Sequence, residues 1–270
     1  MIFHPTQTKF NKTVLVLGSN SFIGKNIIEK IPYKKIICIQ KNKTKNSTTK
    51  IKYYYFDLLN FQKLKKIVYK YNFDKIINCA SNNNNSINPN NNNISIFQQN
   101  TNILLNILEI FKFDRKIEII NFNSTETFKK FDSMYSISKK INNELCKFYK
   151  KNYNLKIRNL ILANVFGQND LNFKRIIPML IKKKILRKSV TIKNNTKKIN
   201  FTFIENILKM IIDPKKKINQ NFLISINQLQ KKIKYMISPS SNKKKIITAL
   251  DHQLYQTVIW YKKFFTYKKL

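Results

Sequence analysis

Thr13–Lys30, TVLVLGSNSFIGKNIIEK, is the stretch whose reading decides the fold. Thr13–Leu17 has the composition of a buried strand, Gly18 and Gly24 bracket a turn, and Ile27 and Ile28 mark the inner side of a following helix. The chain has 3 glycines in 270 residues, where a usage of roughly 7% would give about nineteen. Two of them sit in this one turn. A glycine directly after a parallel strand lets the backbone turn sharply, and one in the first helical turn lets helix and strand pack closely. Between them the helix N–H groups point outward and make an anion site suited to a pyrophosphate. Ser21 stands where the usual pattern has a third glycine, and its hydroxyl can itself donate to a phosphate. Gly18, Asn20, Ser21, Phe22, Ile23 and Gly24 are therefore the candidate cofactor loop.

Outward from this unit the alternation continues. Ile36–Gln40 and Ile51–Phe56 read as strands, and Asn60 caps a helix running to about Tyr71. Lys75–Cys79 is a fourth strand ending in Ala80-Ser81, and the asparagine-rich piece Asn82–Asn93 is a polar loop. A helix from about Ser95 to Phe113 carries Ile103, Leu104, Ile107, Leu108 and Phe111 on one face. The strand Ile117–Phe122, a helix over roughly Tyr135–Tyr153 and the strand Lys156–Leu162 close the series. Strands alternating with helices predict an α/β fold, a Rossmann-type doubly wound parallel sheet with ligands at the carboxyl ends of its strands.

Beyond about Asn164 the alternation loosens. We expect a Rossmann domain over 12–163 and a smaller substrate lobe over 164–270, with a short return to the first domain near 200–215. The lobe would hold a helix Ile176–Ile185, a short strand Ser189–Lys193 and a C-terminal helix through Trp260.

Composition narrows the function classes. Hydrophobic content of 43% is that of a globular protein, and no apolar run of membrane-spanning length is present. The N-terminus MIFHPTQTKFNK lacks the apolar core of a signal peptide. Cys38, Cys79 and Cys146 are too few and too scattered for a disulfide framework or a zinc cluster. We expect buried, reduced thiols in a cytoplasmic protein that uses no metal. The 52 Lys and Arg residues against 13 Asp and Glu give a net charge of +39. Such a balance points to nucleic acid or an anionic surface. The lysines are spread along the chain, however, among Asn, Ile and Phe, which share A/T-rich codons, so a base bias of the genome explains them as well.

At the end of the second strand, dinucleotide-binding units place an acid for the adenosine ribose hydroxyls. Here the sequence is Gln40-Lys41-Asn42-Lys43. A lysine pair there favours a 2′-phosphate, so the expected cofactor is NAD or NADP, with NADP preferred. Merely solvated lysines would look the same.

Three polar sets would meet at the carboxyl edge of this sheet. Ser124-Thr125-Glu126 directly follows the fifth strand, Tyr135 and Lys139 are one turn apart on the next helix, and the Gly18–Gly24 turn would deliver a cofactor to them. A phenol near pKa 10 is a poor base at neutral pH, but an ammonium one turn away favours the phenolate. Tyr135 could then exchange a proton with a sugar oxygen that Ser124 also holds, while Lys139 binds the nicotinamide ribose. Tyr-x-x-x-Lys alone decides little, because Tyr71 and Lys75 share the spacing; the position just beyond a strand-ending Ser-Thr-Glu is what counts.

With these residues in place, the chain resembles an extended short-chain dehydrogenase/reductase of the nucleotide-sugar epimerase/dehydratase family. The likeness runs from VLVLGSNSFIG through DLLN, INCAS and NTNILLNILE to NFNSTETF, YSISK, NVFGQND and LDHQLYQTVIWY. It implies a Rossmann domain binding NAD(P), a lobe for a nucleoside-diphosphate sugar, and a homodimer formed through helices such as Ser95–Phe113 and Tyr135–Tyr153.

By position, Ser124, Tyr135 and Lys139 match the catalytic serine or threonine, tyrosine and lysine. Asp57 and Leu58 match an adenine contact, Ala80 and Ser81 line the cofactor cleft, and Asn100 matches an asparagine supporting the site. Asn164 matches the asparagine that opens the sugar-nucleotide site. Glu126 falls where dehydratases carry a glutamate, although Thr125 replaces the aspartate of their Asp-Glu pair. The short spacer from Phe128 to Tyr135 is more like that of 4-ketoreductase members, such as those making CDP-abequose. Ile199 stands where the family's sugar-nucleotide arginine is expected, and Lys198 beside it offers a point charge without the bidentate fork. The competing reading, from a different class, is a member of the same fold that has lost catalysis and holds RNA on its basic surface.

Overall fold

The computed structural model describes residues 10–43, 46–82, 93–128, 133–192, 194–215, 221–238 and 248–267. Most of the asparagine-rich loop, the residues 129–132 within the Phe128–Tyr135 spacer, and the first nine residues lie outside the described residues. The chain divides into two compact units, Met1–Leu162 and Ala163–Leu270.

The first unit alternates strand and helix throughout. Its elements are β1 (Phe10–Leu17), α1 (Phe22–Lys30), β2 (Tyr33–Gln40), β3 (Ile51–Tyr55), α2 (Phe61–Val68), β4 (Lys75–Asn78), α3 (Asn93–Phe111), β5 (Glu118–Ser124), α4 (Met134–Tyr153) and β6 (Lys156–Leu162). One six-stranded sheet runs in the order β3-β2-β1-β4-β5-β6, with every pair parallel. This is the doubly wound sheet expected from the sequence. From β1 the chain winds outward to β2 and β3, and from β4 it winds the other way to β5 and β6. The strand order therefore reverses between β1 and β4, where such sheets open a crevice.

Burial on both faces explains why the strands read as unbroken apolar runs. Val14–Leu17 of β1 and Ile36–Ile39 of β2 are completely buried. Leu104, Ile107 and Leu108 of α3 join Leu15, Leu17 and Ile119 in one core cluster. Asn60 caps α2 by accepting the Lys63 N–H, although the helix stops at Val68 rather than near Tyr71. Cys38, Cys79 and Cys146 are buried free thiols.

The second unit holds β7 (Asn164–Phe166), α5 (Ile176–Ile185), β8 (Lys198–Phe203), α6 (Ile204–Ile212), β9 (Asn221–Ser225), α7 (Ile226–Ile237) and α8 (Ala249–Tyr267). Its small sheet pairs β7 parallel and β9 antiparallel to β8. The stretch near 200–215, expected to return to the first domain, is β8 and α6 of this unit. Of the expected strand Ser189–Lys193, the residues 189–192 have no regular structure and Lys193 lies outside the described residues. Among the described residues its Val190–Ile192 alternation pairs with no strand, and Arg187, Lys188 and Ser189 before it are exposed. Among the described residues no helix is long and apolar enough to cross a membrane, and no group of three potential ligands is placed to hold a metal.

Candidate active site

The Gly18–Gly24 turn is as tight as its glycines suggest. Gly18 has φ +70°, and a Cβ there would lie 2.7 Å from the Ala80 nitrogen. At Gly24 a Cβ would lie 2.6 Å from the Gly18 oxygen. The first glycine thus lets β1 turn against the end of β4, and the second seats α1 on the turn. Ser21 is the N-cap of α1, its Oγ accepting the Gly24 N–H at 3.2 Å. Phe22 and Ile23 supply the first N–H groups of the helix, ahead of Lys25, whose N–H bonds the Ser21 carbonyl. A cradle closed to any Cβ at its two hinges, with a helix N-terminus between them, fits a dinucleotide pyrophosphate. Asn20 is exposed on the turn, and Phe22 and Ile23 are half-buried.

At the end of β2 the ribose position is filled differently from the usual acid. Gln40 is buried, accepting the Ser19 hydroxyl at 2.7 Å and donating to the Asn42 carbonyl at 2.9 Å. Lys41 forms an ion pair with Asp57 at 3.1 Å. The Leu59 N–H, first, and Lys41 hold the Asp57 carboxyl below its ordinary pKa. Leu58 beside it is buried.

The other polar sets sit at the ends of β4 and β5 and on α4. Ser124 closes β5, and its Oγ accepts the Glu126 N–H at 3.2 Å, so the hydroxyl keeps its proton for donation. A single 3-10 turn, Thr125–Phe128, leads on from it. A capping box between Ser133 and Ser136 starts α4, which places Tyr135 in the first turn and Lys139 in the second. The Lys139 carbonyl accepts Asn123 Nδ2 at 3.0 Å and Thr127 Oγ1 at 3.3 Å. These two residues flank Ser124, so the strand end and the helix are pinned together at the serine.

Lys139 Nζ donates to the Phe122 carbonyl at 3.3 Å and lies 5.5 Å from the centre of the Tyr135 ring. Burial brings the Lys139 ammonium down to about 8, and burial pushes the nearby Cys146 thiol up to about 12.

Asn100 of α3 ties the remaining parts together. Its Oδ1 accepts the Ser81 hydroxyl at 3.1 Å and the Asn82 N–H at 2.7 Å, and its Nδ2 donates to Ser138 Oγ at 3.0 Å. Ser138 in turn bonds the Tyr135 carbonyl at 2.7 Å. Hydrogen bonds thus join Ser81, Asn100 and Tyr135 through Ser138, and Ser124 and Lys139 through Asn123. Asn164 and Lys198 are in the second unit. Both are exposed; Asn164 opens β7 and donates to the Asn200 carbonyl at 3.1 Å, while Lys198 opens the adjacent β8. Asn123 and Thr127, which pin α4, had gone unnoticed in the sequence; the sign was a polar residue inside the apolar run of β5.

The sequence profile of the NAD-dependent epimerase/dehydratase family matches residues 14–213. The chain belongs to that family. Its fold is shared with the Bordetella bronchiseptica enzyme WbmF solved with NAD+ and UDP (TM-score 0.82, 16% identity, covering 97% of this chain and 96% of that one). It is similar also to dTDP-glucose 4,6-dehydratase from Bacillus anthracis in complex with NAD (TM-score 0.78, 15% identity, 95% and 98% covered). A third likeness is to UDP-glucose 4-epimerase from Thermotoga maritima with UDP-glucose (TM-score 0.76, 16% identity, 93% and 99% covered). At these identities the likenesses establish the fold alone. No curated protein sequence gives a significant match.

Proposed function

We propose that this member of the family is an NAD-dependent enzyme that oxidises and reduces a nucleoside-diphosphate sugar at one ring carbon. The observation that carries the reading is the buried Lys139 ammonium beside the Tyr135 ring, on a helix pinned to the strand end bearing Ser124. Bound in the Gly18–Gly24 cradle, NAD would supply a hydride acceptor and donor.

The chain's own residues would do the proton work. Lys139, positively charged at neutral pH, favours the anionic form of the neighbouring phenol, so Tyr135 takes the proton of the sugar hydroxyl and later returns it. Ser124 donates to the same oxygen. Its orientation is set by the Glu126 N–H that its Oγ accepts. Gly18, Asn20, Ser21, Phe22, Ile23 and Gly24 would hold the pyrophosphate, Asp57 and Leu58 the adenosine end, and Ala80, Ser81 and Asn100 the wall of the cleft. Asn164 and Lys198 would meet the sugar nucleotide.

Within the family's reactions, Glu126 would serve elimination and the short Phe128–Tyr135 spacer points to 4-keto reduction. Elimination would begin with Tyr135 taking a hydroxyl proton, whereas in 4-keto reduction Tyr135 would give its proton to the carbonyl oxygen, the same transfer run in reverse. The preference for NADP, drawn from Lys41 and Lys43, gains no support: Lys41 is paired with Asp57, and two of the relatives named above were solved with NAD. A homodimer through α3 and α4 is part of this reading, and Ile141, Leu145 and Phe148 form an apolar stripe along α4 that would suit it.

The experiment is turnover of a panel of UDP-, dTDP- and CDP-sugars by purified protein and by Tyr135→Phe. The variant is expected to lose turnover by about 10²- to 10⁴-fold, the range for a general acid–base group, while its NAD affinity stays within a few fold. Wild-type rates in the variant would remove Tyr135 from the mechanism.

A further inference from the structure

A row of asparagines crosses the sheet beneath the cofactor cleft. Asn78, Asn121 and Asn159 are register partners on β4, β5 and β6. Asn78 Nδ2 donates to Asn121 Oδ1 at 2.9 Å, Asn121 Nδ2 to Asn159 Oδ1 at 2.9 Å, and Asn159 Nδ2 to Asn143 Oδ1 on α4 at 3.0 Å. Asn143 Nδ2 ends the row on the Glu144 carboxylate at 3.2 Å. At the other end, Asn78 Oδ1 accepts the Ala80 N–H at 3.2 Å.

The two ends fix the direction of every amide between them. A backbone N–H can only donate and a carboxylate can only accept, so each carbonyl in the row faces β4 and each NH2 faces α4. Asn78 and Asn121 are 4% and 1% exposed, and a buried amide turned the wrong way would set acceptor against acceptor at a cost no packing gain repays. Ala80 is the residue whose backbone nitrogen lies nearest to a Cβ placed on Gly18. The two residues after it, Ser81 and Asn82, are held by Asn100.

We propose that Asn78, oriented by Asn121, is a positioning residue for the dinucleotide: together with Asn100 it clamps the Ala80–Asn82 strand end against the Gly18 turn. The clamp rests on the NAD reading above, since it is the wall of that cleft which it fixes. It acts before any cofactor arrives, which lowers the ordering cost of binding.

The test is calorimetric titration of NAD+ into the wild-type chain, Asn78→Ala and Asn121→Leu, with kcat and KM measured at saturating cofactor. Asn121→Leu keeps the bulk but removes the Oδ1 that accepts Asn78 Nδ2 and so orients it. Both variants are expected to bind NAD+ about tenfold more weakly, the loss of roughly one net hydrogen bond, with kcat at saturation within threefold. A lowered Tm with unchanged affinity would reduce the row to core filling and overturn the proposal. If either variant fails to fold, hydrogen exchange of the Ala80 amide in the NAD-free wild type decides: slow exchange supports the clamp, and exchange at a free-loop rate overturns it. Absence of NAD+ binding by the wild type would instead sink the cofactor reading, and with it the role given to Asn78, even if the Ala80 amide were protected.

Discussion

Lys139 carries a pH response set chiefly by its burial. With the folded ammonium brought down to about 8 from an ordinary 10.5, it is charged at neutral pH and largely neutral a unit or more above its pKa. If its charge favours the Tyr135 phenolate, kcat measured at saturating substrates falls as pH rises through about 8. A kcat that stays level well past pH 9 would contradict the role given to Lys139. The stability consequence has the opposite sign: the folded pKa lies below the unfolded one, so burying the ammonium costs stability in full below about 8, and the cost is relieved between there and 10.5. Lys139→Met is therefore expected to lose turnover while gaining about 1–3 kcal/mol at neutral pH in urea titrations. At this scale the sequence was partly legible. Gly18 and Lys139 declared themselves through rarity and position, whereas the roles of Asn78 and Asn121 emerge only from the cross-strand register that sets them side by side.

The N-terminus of α1 is where an element's stability and its ligand site compete. Ser21 Oγ takes the Gly24 N–H, which stabilises the helix but occupies a donor near the pyrophosphate position. Its Cβ also stands where the family pattern has a glycine. Ser21→Gly is expected to lower Tm slightly, since glycine replaces a serine cap at a cost of a few tenths of a kcal/mol, and to tighten NAD+ binding by about threefold, or ~0.7 kcal/mol. Weaker binding in calorimetry would show that the serine hydroxyl serves the phosphate directly. Elements of the first unit were readable because each strand is buried on both faces and each long helix keeps one apolar stripe. The small sheet was not: β7 is the three residues Asn164–Phe166, too short for any period, and β8 acquires its identity from pairing with β7 and β9 rather than from its own pattern.

Across the whole molecule, the net charge of +39 is distributed over both units. Exposed lysines include Lys63, Lys66, Lys150 and Lys151 in the first and Lys183, Lys231 and Lys234 in the second. Such a spread is what a codon bias leaves behind, so RNA is expected to bind only weakly, without sequence preference, and with an affinity that falls steeply with salt. Fluorescence anisotropy across a salt series checks this; a sequence preference that persists at high salt would favour the RNA-binding alternative. The enzymatic account itself is tested most directly by reduced-nicotinamide absorbance after mixing the protein and NAD+ with each of a panel of UDP-, dTDP- and CDP-sugars. The account predicts a transient rise with at least one sugar nucleotide in the wild type and none in Tyr135→Phe. A flat trace with every sugar, from protein that also fails to bind NAD+ in calorimetry, would contradict it.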